Sequence, residues 1–134
     1  MNIEKIRCDR CPESDHLFKV SEASKPEKYV RVRVQRIEQG TVASVLAKDA
    51  LEFSVQCALA REDGDLVKDA LGHNVILGQE VHSVSLDALA SGQLSMLAWL
   101  GSLIEESVVK TARKAFFILD LAPGLVPSRP VGSV

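Results

Sequence analysis

A chain of 134 residues, 46% apolar and 25% charged, fits one globular domain and excludes the disordered and fibrous classes. Only 4% of it is aromatic, which argues against a stacking platform for bases or sugars and leaves the core to Leu, Val, Ile and Ala. The net charge of −2 hides a split: residues 1–36 hold nine Lys/Arg against six acids, and residues 37–134 hold seven against twelve, an asymmetry that can steer a charged partner.

The opening Met1-Asn2-Ile3-Glu4-Lys5 is charged where a signal peptide would be apolar. No stretch approaches the roughly 20 uninterrupted apolar residues of a membrane span. Three cysteines, an odd number, fit a reducing compartment better than a disulfide framework. The expectation is a cytoplasmic protein with no membrane partner. A single α+β domain over residues 1–122 is followed by a Pro/Gly-containing tail over 123–134.

Residues 2–20 read as two short extended pieces around the turn chemistry of Cys11-Pro12-Glu13-Ser14-Asp15, and residues 21–28 as a polar loop. Residues 29–37 form the clearest strand, with Val30, Val32 and Val34 alternating with Arg31, Arg33 and Gln35. The valines face the core, and the arginines face solvent or a partner. Gln39-Gly40 predicts a tight turn into a second strand over 41–46. From Asp49, a plausible N-cap, Leu51, Val55, Ala58 and Leu59 fall at i, i+4, i+7 and i+8 and predict a helix over 49–60.

Gly64 suits the left-handed position just past that helix, and residues 66–70 read as one further turn. Residues 75–77 and 81–86 are short strand candidates around Gly78. Ser85 caps a short helix over 86–90. A long helix is predicted over 93–119, its first turns apolar all round (Leu94, Met96, Leu97, Trp99, Leu100, Leu103, Ile104) and its later ones striped by Ile104, Val108, Ala112, Ala115 and Leu119. The architecture expected is a small, mainly antiparallel sheet from the N-terminal half, packed against two or three helices of which the longest is C-terminal.

One constellation suggests chemistry. Cys8-x-x-Cys11-x4-His16 has the spacing of the start of a zinc knuckle, with two thiolates and an imidazole as ligands. The fourth ligand would fall at position 21, which is Ser21. Unligated thiols in a turn are therefore the favoured reading, and zinc is the alternative cofactor. Cys57 reads as a small buried hydrophobe. Asp63, Asp65 and Asp69 lack the glycine and glutamate spacing of a calcium loop. His73, Glu80 and His82 specify no reaction.

No catalytic set emerges, so the expected function is non-enzymatic: a protein–protein interaction module in a larger assembly, as structural, adaptor or chaperone component. The partner, a protein or a second copy in a homo-oligomer, is expected at Met96, Trp99, Leu100 and Leu103 on the apolar helix, because exposed apolar patches mark interfaces. Arg31, Arg33 and Arg36 are the other expected contacts. The alternative is a zinc-dependent nucleic-acid-binding module using Cys8, Cys11, His16 and the arginine strand. The order of a valine/arginine strand, helices around an acidic Asp-Gly turn and a terminal helix loosely resembles small assembly proteins of tailed bacteriophages, without a shared motif.

Overall fold

The computed structural model describes residues 1–37 and 50–121, with side chains as far as residue 117. Five strands, β1 (Asn2–Ile6), β2 (Asp15–Ser21), β3 (Lys28–Arg36), β4 (Ala50–Ala60) and β5 (Ile76–Ser85), form one antiparallel sheet in sequence order. Two helices follow, α1 (Leu86–Ala90) and α2 (Met96–Leu121). The α+β class and the long final helix agree with expectation. The fifth strand comes from the second half of the chain, and the described residues contain two helices.

The valine/arginine alternation does what its period dictates. Val30 and Val32 are fully buried on the face toward α2, and cross-strand neighbours Phe18, Leu59 and Cys57 bury beside them. The predicted helix over 49–60 is instead β4, paired with β3 from Tyr29↔Ala60 to Arg36↔Phe53. Leu51, Val55 and Leu59 satisfy both periods, but Phe53 and Cys57 complete a strict alternation, and cross-strand packing decides for the strand. The predicted strand over 41–46 and its turn lie outside the described residues.

Residues 66–70 are not helical. Val67 N donates to Leu59 O at 3.0 Å and Asp69 N to His73 O at 2.8 Å, so residues 61–75 fold as a narrow ribbon at the end of β4 and β5. The two short strands expected around Gly78 merge into β5, with a register shift opposite Cys57/Ala58. Ser85 caps α1 as expected, its side chain accepting from Ala88 N. At α2 the cap is Ser95, whose Oγ accepts from Ala98 N at 3.4 Å, which starts the helix three residues later than the apolar run implied.

The core lies between α2 and this face of the sheet. Val108, Ala112 and Ala115 are completely buried, flanked by Leu103, Ile104 and Phe116. The small residues let the helix approach closely. At Gly78 the approach is closest: a Cβ there would lie 2.9 Å from Thr111 Cγ2. Thr111 cannot swing aside freely, since it is buried and its Oγ1 donates to Ser107 O at 2.8 Å. Gly78→Ala should therefore cost about 1–3 kcal/mol by overpacking. The added substitution Thr111→Ser, which removes Cγ2 and keeps the hydroxyl, should recover most of the loss in denaturant unfolding.

Candidate functional site

Arg31 and Arg33 of β3 face away from α2, and there they meet Asp15. Its side chain is 1% exposed and accepts from Arg31 Nε at 2.7 Å and Arg33 Nε at 3.1 Å, with Ser14 Oγ at 3.1 Å. Burial alone would raise the Asp15 pKa, but the Arg33 and Arg31 hydrogen bonds outweigh it and hold the carboxyl below its ordinary 3.8. Arg31 and Arg33, expected as partner contacts, both bond this internal carboxylate, and Arg33 keeps a side chain 41% exposed. Arg36, beyond the reach of Asp15, remains exposed.

Arg31 also donates to the carbonyl of Gly64 at 2.8 Å. Gly64 sits at φ +95 in the turn after β4, and a Cβ there would lie 2.4 Å from Cys8 Sγ. A side chain would be both strained and without space. Cys8 and Cys11 are joined as a disulfide across a Cα separation of 5.5 Å, and Arg10 reaches Asp65 at 3.0 Å beside them. The turn between β1 and β2 is thus fastened onto the turn after β4. His16 goes to the other face, opposite Val32 and toward α2. The three residues of the knuckle-like spacing are not brought together, because strand alternation sends His16 away from the thiols.

Pairing of Cys8 with Cys11 leaves Cys57 as the free cysteine, buried between β4 and Thr111; burial pushes its thiol pKa up. The disulfide replaces the unligated thiols expected of Cys8 and Cys11, and with it the odd cysteine count loses its force as an argument for a reducing compartment. Among the described residues, no group of three or more His, Cys, Asp or Glu side chains is placed to hold a metal ion, and no helix is long and apolar enough to cross a membrane.

On the helix side, α2 packs on β3, β4 and β5 and leaves a groove of about 680 Å³ over β1, β2 and the adjoining ends of β3 and β4. Its floor is Ile3, Phe18, Val34, Phe53, Leu100 and Ile104; Lys5, Arg36, Glu13 and Glu105 rim it with both signs of charge. Leu97 and Val109 stand on its lip, 84% and 62% exposed. Trp99 meets Phe53 edge-on, with centroids 5.6 Å apart. His16 lines the wall, its pKa lowered first by burial and then by Lys5, against a smaller opposing effect of Asp15.

Met96, Trp99 and Leu100 are half-buried, and Leu100 lies in the groove. Leu103, expected as a partner contact, is 7% exposed and packs into the core. A helix over one face of a sheet turns only part of its circumference inward, so the apolar first turns are not enclosed. Leu97 is the surface residue that the all-round apolar pattern failed to separate from Leu103, and Val109 lay outside that pattern. Val109 stands i, i+4 from both Glu105 and Arg113, which was the available signal for it, whereas Leu97 stands i, i+4 from Gln93 and Gly101 and carried none.

Asp15→Asn leaves two guanidinium groups facing an uncharged amide, and should cost about 3 kcal/mol, the low end for a broken buried pair because Arg33 is partly exposed. The same pairing fixes a pH dependence. The folded pKa lies below the unfolded value near 3.8, so the stabilisation is full above that pH and is lost as pH falls through the folded value. Thermal melts should show wild type losing stability in that acid window and approaching Asp15→Asn, whose own dependence there is shallower.

No protein-family model matches the chain, and no curated protein or solved structure is found similar to it.

Proposed function

We propose that this chain is a non-enzymatic interaction module of a larger assembly, and that the groove beside α2 receives an apolar segment of a protein partner. The observation that carries the reading is the apolar floor continued onto the surface by Leu97 and Val109. These lip residues lie twelve positions apart, about 18 Å along the helix. A small molecule lodged on the floor would leave them in water, whereas a polypeptide laid along the groove covers both. A rim carrying both signs of charge suits the polar border of a protein interface.

Among the described residues, no hydrogen bond joins the groove's titratable groups into the nucleophile and base that covalent catalysis requires. Binding to a phosphate backbone finds less support, because Arg31 and Arg33 both bond the Asp15 carboxylate, which offsets one of their two charges. The bacteriophage resemblance drew on a helix over 49–60, where the chain forms β4, and is not carried forward.

A photo-crosslinking amino acid placed at Leu97 tests the reading, with the equally exposed Leu71 (80%) as control. The expected result is a discrete adduct with one protein from position 97 and none from position 71. The crosslinked segment, mapped by mass spectrometry and synthesised as a peptide, should bind the purified chain and shift Trp99 emission. Val109→Glu should abolish that binding while leaving the melting temperature within a few degrees, since Val109 is exposed. Indiscriminate adducts from both positions, or a mapped peptide that does not bind, would overturn the proposal.

A further inference from the structure

β5 is an edge of the sheet, and its open side has a definite pattern. Ile37 N donates to Glu52 O at 2.9 Å, so Glu52 directs its backbone groups toward β3. By the two-residue period of a strand, Leu51, Phe53, Val55 and Cys57 direct theirs toward β5. Their partners are Val84, His82, Glu80 and Gly78. The amides and carbonyls of Gln79, Val81 and Ser83 therefore point outward, and among the described residues no strand pairs with them. At one end the run is closed by Lys114 Nζ, which donates to Leu77 O at 3.2 Å. At the other it is closed by Ser85, which begins α1. Proline and lysine, which commonly protect an edge, are missing from β5.

We propose that β5 pairs antiparallel with β5 of a second copy of this chain, about a two-fold axis at Val81. The sequence of the edge is self-complementary in that register. Val81, 57% exposed, falls opposite Val81 of the second copy, and Gln79 opposite Ser83. Both are pairs whose backbone groups point outward and can bond. On the helix side Glu80 falls opposite His82, adding to the Glu80–His82 contact at 3.1 Å and the Glu80–Lys110 contact at 3.3 Å within each chain.

Several neighbouring registers are worse. Centring on Glu80 sets two carboxylates face to face and runs Ser83 against Leu77, where Lys114 closes the edge. Centring on Gln79 sets Val81 against Leu77, whose carbonyl Lys114 already occupies. Centring on Ser83 runs Val81 against Ser85, where the strand ends. A two-fold, isologous contact is the commonest way for identical chains to pair. The pairing uses the sheet edge farthest from the groove and does not depend on the function proposed for it.

The test is sedimentation of the full chain with two edge variants, combined with hydrogen exchange. Wild type should be a dimer at tens of micromolar, and both Val81→Lys and Val81→Pro should weaken dimerisation by roughly 100-fold or more. Both should keep the wild-type melt extrapolated to low concentration, because the Val81 side chain is exposed and its N–H does not bond to β4. The amides of Gln79, Val81 and Ser83 should gain protection as concentration rises, whereas those of Glu80 and His82, bonded to β4, should be protected throughout. A wild-type monomer at that concentration would overturn the proposal. So would a dimer that survives both Val81 variants, or one dissociated by Leu97→Glu in the groove instead.

Discussion

A helix about 10 Å across cannot cover a sheet face that five strands spaced by roughly 4.8 Å make about 20 Å wide. Most of this molecule's surface chemistry follows from that mismatch. α2 lies over β3, β4 and β5, where Gly78, Ala112 and Ala115 permit a close approach. The remaining width, over β1, β2 and the adjoining ends of β3 and β4, is left as the groove. The first turns of α2 are apolar on every side, but only Leu103 and Ile104 among them find a place in the core below 10% exposure.

The opposite face, away from α2, carries a set of polar contacts. Arg31 lies across that face between Asp15 and the Gly64 carbonyl, joining the second strand, the third strand and the turn after the fourth. The Cys8–Cys11 disulfide and the Arg10 ion pairs seat the first turn on the same point. Burying a carboxylate is costly unless charges and hydrogen bonds surround it; here two guanidinium groups and Ser14 do so. The positive excess of residues 1–36 is consequently partly internal.

Groove and open edge stand on opposite sides of one sheet. Occupation of β5 by a second copy would leave both grooves accessible, so a two-fold pair would present two sites for apolar segments. The Glu80–Lys110–His82 cluster borders the edge side of α2, whereas Glu105 and Val109 border the groove side. One helix therefore separates the two surfaces.

Period-two alternation in Tyr29 to Gln35, the Ser85 cap and the stripe from Ile104 through Ala115 were legible without coordinates, because each is a local pattern that one packed face is enough to satisfy. β4 was not, since Leu51, Val55 and Leu59 fit a helix and a strand equally well. Only neighbours far along the chain, Val30, Val32 and Glu80 among them, discriminate between the two. The same holds for the destination of Arg31, for the contact of Gly64 with Cys8, and for the exposure of Leu97 against the burial of Leu103. Local periodicity reports which side of an element is apolar. Which apolar residues find a covering surface, and which charges find a partner, depends on how widely separated segments meet in the folded sheet.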